Sequence, residues 1–234
     1  MIKFVFQGDS ITDANRNRDD INNYGYGYPN LVASELMCKY PGKYEFINEG
    51  ISGNRIVDLY ARIKQDLINH KPDYLSILIG VNDVWHELNE QNGVAAPKFE
   101  KVYSMLIEEI KEALPNIKIF ILEPFVLKGS GTERYFDEFL ADVKLHAQAA
   151  KNVAEKYDLT FIPLQDKFDE ASKLMPPTYW TADGVHPSAA GHGLIKEELI
   201  KAILYAKSSP LCKRTAFYII IGLLWFSGSA TLRI

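Results

Sequence analysis

Short apolar runs recur along the chain and alternate with longer segments of helical period. The runs are four to six residues long and mostly continuous in apolar character, at residues 3–6, 44–47, 74–79, 118–122 and 159–162. Continuous apolar runs are typical of parallel strands, which are covered on both faces. The pattern therefore predicts five buried strands in one parallel sheet.

Apolar residues in the intervening segments recur at spacings of three and four, as on the buried face of an amphipathic helix. One such segment covers residues 99–114, a second covers residues 136–157, and a third begins near Pro187. Strands and helices that alternate in this way predict a parallel sheet with helices on both faces. We therefore expect an α/β domain.

Composition limits the size of this domain and the kind of partner that it binds. The chain has 234 residues, of which 47% are hydrophobic, and this suits one α/β domain with a sizeable core. The 26 basic and 30 acidic residues give a net charge of −4, and no basic stretch exceeds Lys213-Arg214. Binding to nucleic acid requires a positive face that neutralises phosphates, so we exclude that class of function.

The N-terminus and the cysteines indicate the cellular compartment. The first residues lead directly into the first apolar run, without the charged region and cleavage site of a signal peptide, so we expect a cytoplasmic protein. Cys38 and Cys212 are far apart in the sequence and could form a disulfide. Two free thiols are the better expectation for a chain in a reducing compartment.

Residues 208–234 do not continue the alternation of strands and helices. Lys213 and Arg214 are followed by a mainly apolar run, residues 217–226, which has about half the length of a membrane-spanning helix. We therefore expect no membrane anchor. The run could dock on the core or on a partner subunit, which would favour a homo-oligomer, or it could be an artefact at the end of the gene. We accordingly divide the chain into a domain, residues 1–207, and an apolar tail, residues 208–234.

The first predicted strand is followed at once by Gly8, Asp9 and Ser10. A serine just after a buried strand, with glycine two residues before it, can occupy a sharp turn from strand to helix. The turn would expose the Ser10 hydroxyl at the carboxyl end of the strand, where α/β folds bind ligands, and leave the Ser10 N–H facing a developing oxyanion. A helix N-cap would explain the same residues, because serine and aspartate are common at helix starts.

A second chemical motif lies ahead of the last predicted helix, where Asp183 precedes His186 by three residues and Pro187 follows. A carboxylate at this spacing, in a loop that ends with proline as the first helical residue, can reach the imidazole Nδ1. It would fix the ring tautomer while Nε2 takes a proton from a serine. The alternative is an Asx turn with a surface histidine. None of the other histidines has a comparably placed acid with a helix start behind it, and we expect His192 to be a structural residue.

Two middle segments supply hydrogen-bond donors. Residues 48–55 follow the second strand and contain Gly50 and Gly53, whose backbone N–H groups can approach a bound acyl oxygen closely. Asn82 follows the third strand, and its amide is a neutral donor of the kind that oxyanion holes use. Glycine and asparagine are common in loops of every kind, so neither segment is decisive alone. Together with the serine and the Asp–His pair, however, these donors would meet at one edge of the sheet.

In this combination the sequence resembles the SGNH (GDSL-type) hydrolases, a family named for Ser, Gly, Asn and His in four motif blocks. The resemblance covers about residues 2–206, and the fourth position of the signature is Ile11 instead of leucine, a departure that touches no chemistry. The tail has no counterpart in the family pattern. The matching segments, all in order, are Gly8-Asp9-Ser10, Gly53 within residues 50–55, Gly80-Val81-Asn82-Asp83 and Asp183-Gly184-Val185-His186-Pro187.

The resemblance implies a role for each matching residue. Ser10 would be the nucleophile of a serine esterase, His186 the general base and then acid, and Asp183 the partner that orients the imidazole. The Ser10 N–H, the Gly53 N–H and the Asn82 side chain would form the oxyanion hole. The family also implies a flavodoxin-like three-layer α/β/α sandwich with a five-stranded parallel sheet of order 2-1-3-4-5, and neither a metal ion nor an organic cofactor.

The same segments resemble intracellular acetylxylan esterases more narrowly, which implies removal of O-acetyl groups from imported xylo-oligosaccharides through an acetyl-enzyme. Asp9, Trp85 and Trp180 flank the motifs, and we regard them as candidate substrate-binding residues. Either tryptophan could form a wall for a sugar ring, or be only a half-buried aromatic at a loop edge. A lipase, lysophospholipase or thioesterase with the same triad is the alternative function. A non-catalytic scaffold would be expected to lack a motif residue, and all are present.

Overall fold

The structure, a computed structural model, describes residues 1–207 of the chain. Its strands are β1 (Ile2–Gly8), β2 (Tyr44–Asn48), β3 (Tyr74–Leu78), β4 (Lys118–Leu122) and β5 (Thr160–Ile162). All neighbouring strands are parallel, and their order is β2-β1-β3-β4-β5. The five predicted strands, the parallel sheet and its order are therefore confirmed.

Helices connect the strands and cover both faces of the sheet. Their bounds are α1 (Ser10–Asp13), α2 (Tyr28–Lys39), α3 (Ile56–Ala61), α4 (Ile63–Asp66), α5 (Val81–Glu90), α6 (Ala96–Ala113), α7 (Phe136–Lys156), α8 (Gln165–Ser172), α9 (Pro177–Trp180) and α10 (Ala189–Lys207), with short 3₁₀ turns at Ile68–His70 and Glu133–Tyr135. The predicted helices over residues 99–114 and 136–157 correspond to α6 and α7. The predicted three-layer α/β/α architecture is therefore confirmed.

The chain divides into two units, of which the first is residues 1–199 and the second begins at Ile200. The first unit contains the whole sheet, and of the second the structure describes the end of α10. Within residues 1–207 no helix is long and apolar enough to cross a membrane, and no group of three His, Cys, Asp or Glu side chains is arranged to hold a metal ion. Cys38 is a free, exposed thiol. The predicted apolar tail and Cys212 lie outside the described residues.

The two faces of the sheet carry different side chains. One face is aliphatic, and Val5, Leu75 and Ile77 pack there with buried residues of α3, α4, α6 and α7. The other face is aromatic, and the ring of Phe6 meets Tyr28 of α2 edge-on with 5.9 Å between centroids. Burying an aliphatic or aromatic side chain of this size contributes about 1.5–3 kcal/mol. Burial on both faces therefore fixes the position of the strand ends.

The strand register brings the carboxyl ends of three strands to one edge. Phe6 of β1 pairs with Asn48 of β2, and Gly8 of β1 pairs with Leu78 of β3. The chain goes from β1 to β2 on one side and returns to β3 on the other, so the strand order reverses beside β1. Open α/β sheets bind ligands at such a reversal. The residues that follow β1, β2 and β3 therefore lie where a ligand is expected.

The predicted role of Pro187 as the first residue of the last helix is wrong. Pro187 forms an isolated antiparallel bridge with Thr181, so its backbone is extended. Helix α10 begins at Ala189, and the Ser188 side chain caps it by accepting a hydrogen bond from the Gly191 N–H at 3.3 Å. The bridge closes the loop of residues 181–187, which we call the His186 loop.

Candidate active site

Ser10 is the first residue of α1 and directly follows the central strand β1. The Asp9 carboxylate caps this helix, because its Oδ1 accepts a hydrogen bond from the Ile11 N–H at 2.9 Å. Gly8 has no room for a side chain, since a Cβ there would lie 2.4 Å from the Leu78 carbonyl oxygen. Glycine therefore allows the abrupt change from strand to helix that leaves Ser10 partly exposed at the sheet edge.

Ser10, His186 and Asp183 form one hydrogen-bonded line. Ser10 Oγ lies 2.9 Å from His186 Nε2, and His186 Nδ1 lies 2.7 Å from Asp183 Oδ2. The second carboxylate oxygen, Asp183 Oδ1, accepts hydrogen bonds from the N–H groups of His186 at 2.8 Å and Val185 at 2.9 Å. The spacing of three residues thus lets one carboxylate bind the imidazole and stabilise its own turn.

The protonation states follow from these contacts. Burial raises the pKa of Asp183, but hydrogen bonds from the His186 ring and from two backbone N–H groups outweigh it and lower that pKa from 3.8 to about 2. The hydrogen bond to Asp183 raises the pKa of His186 above 6.5, against the opposing effect of burial. Because the carboxylate is an acceptor, neutral His186 carries its proton on Nδ1. Its Nε2 is then able to accept the Ser10 proton.

The His186 loop is held by backbone hydrogen bonds from the segment after β4. The Leu127 N–H donates to the Gly184 carbonyl at 2.8 Å, and the Gly131 N–H donates to the Asp183 carbonyl at 2.8 Å. Gly184 has a φ of +101°, which disfavours any residue with a Cβ. The position of the Asp183 carboxylate is therefore set by main-chain contacts on both sides of the residue.

Residues 50–55, which we call the Gly53 loop, lie beside the start of α5. The Asn82 amide donates a hydrogen bond to the Asn54 carbonyl at 3.1 Å, and the adjacent Asp83 carboxylate accepts from the Ile56 N–H at 3.1 Å. Gly53 has a φ of +81°, in the left-handed region. The structure thus brings Gly53 and Asn82 close together. The second N–H of the Asn82 amide remains available for another acceptor.

The Gly53 loop also contacts the segment that carries Ser10. The Ile51 N–H donates to the Gly8 carbonyl at 3.1 Å, and the Ser52 N–H donates to Asp13 Oδ2 at 3.1 Å. A Cβ on Gly50 would lie 2.2 Å from the Asp13 nitrogen, so the loop and α1 approach as closely as glycine permits. These contacts bring the Gly53 loop to the same edge of the sheet as Ser10.

The Asp9 side chain lies beneath this edge and is fully buried. Its Oδ2 has no hydrogen-bond partner among residues 1–207. Burial raises the pKa of Asp9 from 3.8 to about 7, although the Ile11 N–H and the charge of His186 oppose the shift. Because the carboxyl is closed to solvent, the structure gives Asp9 a role as helix cap where the sequence suggested a substrate contact.

The two candidate tryptophans differ in their relation to His186. Trp85 lies one turn after Asn82 on α5, and its half-buried ring is 5.8 Å from the His186 ring between centroids. Trp180 ends α9, and its Nε1 donates to the Met175 carbonyl at 3.2 Å. Its ring packs on Tyr179 with 5.0 Å between centroids. The structure therefore brings Trp85 to the candidate site, whereas the Trp180 side chain contacts Met175 and Tyr179 of its own segment.

Two residues at the site have contacts that sequence alone specifies poorly. His192 is buried, and its Nδ1 accepts a hydrogen bond from the Tyr28 N–H at 3.1 Å, in line with the expected structural role. Sequence analysis missed Arg62, whose guanidinium contacts the Gly8 carbonyl and the Asn54 side chain. No spacing in the sequence connects an arginine in a helical segment with loops that follow two different strands.

Comparison with known proteins agrees with this geometry. The GDSL-like Lipase/Acylhydrolase family model matches residues 6–194. Over 211 residues the chain is 33% identical to an acetylxylan esterase from Geobacillus stearothermophilus, and the match covers 86% of this chain and 93% of that protein.

Three solved structures are also similar to this chain. A candidate GDSL-like lipase from Parabacteroides merdae ATCC 43184 matches with a TM-score of 0.80 and 35% identity, over 86% of this chain and 94% of the other. The acetylxylan esterase Axe2 from Geobacillus stearothermophilus matches with a TM-score of 0.77 and 32% identity, over 86% and 93%. LAE5, an alpha/beta hydrolase from the Lake Arreo metagenome, matches with a TM-score of 0.77 and 29% identity, over 86% and 94%. The chain therefore belongs to the GDSL-like lipase/acylhydrolase family and is a carboxylic ester hydrolase.

Proposed function

We propose that this esterase removes O-acetyl groups from carbohydrates, acetylated xylo-oligosaccharides first among them, through an acetyl-enzyme on Ser10. The observation that carries the mechanism is the hydrogen-bonded line in which Ser10 Oγ lies 2.9 Å from His186 Nε2 and His186 Nδ1 lies 2.7 Å from Asp183. This order of hydroxyl, imidazole and carboxylate is what a serine nucleophile requires at neutral pH.

In the first half of the reaction Ser10 attacks the acetyl carbonyl while its proton passes to His186 Nε2. The imidazolium that forms is stabilised by Asp183, whose pKa of about 2 keeps it ionised throughout. The tetrahedral intermediate then breaks its bond to the sugar oxygen, and His186 donates the proton to that oxygen. The products of this half are the free sugar hydroxyl and acetyl-Ser10.

The negative charge of the intermediate would be bound by three donors at the sheet edge. These are the N–H groups of Ser10 and Gly53 and the free N–H of the Asn82 amide. The close packing of the Gly53 loop against α1 and α5 supports this assignment, because fixed donors stabilise charge without reorganisation.

In the second half of the reaction water replaces the sugar. His186 Nε2 removes a proton from water as the water oxygen attacks acetyl-Ser10, and the same donors bind the second tetrahedral intermediate. His186 then returns the proton to Ser10 Oγ, and acetic acid leaves. The overall change is hydrolysis of one ester bond, with the enzyme restored.

Two observations support a sugar acetate as the substrate. The acetylxylan esterase from Geobacillus stearothermophilus is similar along 93% of its length, so the similarity includes the regions around the site. The half-buried ring of Trp85 lies beside His186, where the alcohol part of the ester would leave, and a flat aromatic surface suits a pyranose ring.

The test is acetate release from acetylated xylo-oligosaccharides, beside hydrolysis of p-nitrophenyl acetate and p-nitrophenyl octanoate. Wild type, Ser10→Ala and the control Ser104→Ala on α6 are compared. We expect rapid turnover of both acetates, little of octanoate, and a loss of at least about 10⁴-fold in kcat/KM in Ser10→Ala only. Octanoate preferred over both acetates would move the substrate to lipids or thioesters, and full activity in Ser10→Ala would refute the mechanism.

A further inference from the structure

Arg62 occupies the junction of α3 and α4 and reaches three segments at the sheet edge. Its Nε donates to Asn54 Oδ1 at 2.8 Å, its Nη1 donates to the Glu49 carbonyl at 2.8 Å, and its Nη2 donates to the Gly8 carbonyl at 3.3 Å. The side chain is 15% exposed. One guanidinium therefore connects the ends of β1 and β2 with the Gly53 loop.

Asp66 supplies the matching negative charge one turn further along. Its Oδ2 accepts from Arg62 Nη1 at 2.6 Å, and its side chain is 13% exposed. Burial lowers the pKa of Arg62 and the hydrogen bond with Asp66 opposes that effect, so the guanidinium stays protonated. The ion pair holds the N–H groups of the Arg62 guanidinium in one orientation. An unpaired side chain would rotate freely and would not maintain that orientation.

Asn54 is held from two sides. Its side chain accepts a hydrogen bond from Arg62, and its carbonyl accepts one from the Asn82 amide. Gly53 immediately precedes it in the left-handed region, where the backbone is least restricted by its own residue. The Gly53 N–H belongs to the peptide between Ser52, which Asp13 holds, and Gly53, so the contacts of Ser52 and of Asn54 together limit its direction.

We propose that Arg62 is a positioning residue for ester hydrolysis. It holds the carbonyl of Gly8, two residues before Ser10, and the side chain of Asn54, one residue after Gly53. The oxyanion donors on these two segments thereby keep the separation that one tetrahedral intermediate requires. This inference rests on the proposed oxyanion donors. A lysine offers a single ammonium group instead of a fixed fork, so it can restore the charge but not the three simultaneous contacts.

The experiment is a double-mutant cycle of Arg62→Lys and Asn82→Ala, with p-nitrophenyl acetate as substrate. Arg62→Lys should lower kcat about 10- to 100-fold and change KM less than about threefold, because the donors are displaced without loss of a substrate contact. The acid limb of the pH profile should stay in place, since the His186–Asp183 pair is untouched. In the Asn82→Ala background, Arg62→Lys should cost less than about threefold, because coupled residues are not additive.

Two controls separate positioning from general destabilisation. Lys196 of α10 is also a partly buried cation, but it pairs with Glu35 of α2 away from both loops, so Lys196→Arg should retain kcat within about threefold. Ile107→Val trims a buried residue of α6 and lowers stability without touching the sheet edge. The melting temperature of each variant is measured, so that Arg62→Lys can be compared with a control of similar stability.

The outcomes distinguish this inference from the proposed function. A kcat of Arg62→Lys within twofold of wild type, or equal fold losses in both backgrounds, would overturn the role of Arg62 while Asn82→Ala still lowers kcat. An unchanged kcat in Asn82→Ala alone would instead refute the oxyanion assignment. Because p-nitrophenyl acetate is the substrate, neither result depends on which sugar the enzyme accepts.

Discussion

The His186 loop and the Gly53 loop flank the same serine but are held in different ways. In the His186 loop, the Asp183 carboxylate binds the backbone and ring of His186, three residues later in the sequence. Main-chain hydrogen bonds hold the Asp183 carbonyl. The Gly53 loop is held by side chains from distant elements, among them Arg62 and Asn82. Main-chain hydrogen bonds thus hold the proposed proton-transfer side, whereas tertiary side-chain contacts supplement a main-chain bond on the proposed oxyanion side.

This difference predicts different kinetic effects on the two sides. Changes in the His186 loop should alter both the rate and its pH dependence, because the pKa of His186 is set there by Asp183. Changes around the Gly53 loop should lower kcat and leave the pH profile in place, because no group that titrates near neutrality is altered. The variants below test this separation, from the largest expected effect to the smallest.

Asp183→Asn should have the largest effect, a loss of about 10⁴-fold in kcat, because an amide can stabilise the wrong imidazole tautomer. In the proposed mechanism neutral His186 is the base, and Asp183 raises its pKa, so wild-type activity should fall with decreasing pH through a value above 6.5. In Asp183→Asn the acid limb should move to lower pH. The measurement is kcat/KM against pH, with the exposed Asp166→Asn as control. An unmoved acid limb would contradict the account.

Asn82→Ala should lower kcat about 10²- to 10³-fold, the usual cost of losing one oxyanion donor. KM for p-nitrophenyl acetate should change little, because the amide acts on the charged intermediate more than on the bound ester. The pH profile should keep its wild-type midpoint. A shifted midpoint with nearly normal kcat would place Asn82 on the proton-transfer side and remove the distinction between the two loops.

Trp85→Ala should raise KM for acetylated xylo-oligosaccharides about 3- to 10-fold, the range expected for loss of one aromatic contact. KM for p-nitrophenyl acetate should change less than about twofold, since this ester has no sugar ring. Trp180→Ala is the matched control, because its ring contacts Tyr179 and not His186. If Trp180→Ala raised the sugar KM and Trp85→Ala did not, the sugar surface would have to lie on α9.

Asp9→Asn should have the smallest effect, and it concerns stability. Asp9 has a folded-state pKa of about 7 against 3.8, so the folded protein binds more protons and this group makes stability fall as pH rises between these values. Asparagine keeps the cap to Ile11 without a charge. Relative to wild type, the melting temperature of Asp9→Asn should rise by about 5–10 °C between pH 5 and pH 8. A pH-independent difference would contradict the burial argument.

The sheet was predictable from the sequence because the burial of each strand is visible in the apolar character of that strand's own residues. A parallel strand covered on both faces is apolar at most successive positions, and residues 74–79 have that character except at Ser76. The start of α10 was less predictable. Proline at the first helical position is common, but here Pro187 is used in a bridge with Thr181, and Ser188 takes over the cap. Pairing across a loop of this kind leaves no periodic pattern.

The candidate site likewise combines contacts that the local sequence indicates with contacts that depend on tertiary packing. The three-residue spacing of Asp183 and His186 made their contact predictable once it was combined with the other motifs, whereas Asp83 and His86 have the same spacing and Asp83 binds the Ile56 N–H. Arg62 is separated from Gly8 by 54 positions, so only the packing of α3 and α4 on the sheet reveals their hydrogen bond. The sequence also placed Asp9 correctly beside Ser10 but carried no information on its depth, and the structure shows it fully buried.

The central claim, that Ser10 is the nucleophile activated by His186, is tested most directly by labelling with a fluorophosphonate, which forms a stable adduct with an activated serine. After complete inactivation, peptide mass mapping should find one phosphonate per chain on the peptide that contains Ser10, and Asp183→Asn should be labelled far more slowly than wild type. Complete inactivation with the phosphonate on another residue, or full activity after stoichiometric labelling of Ser10, would contradict the account.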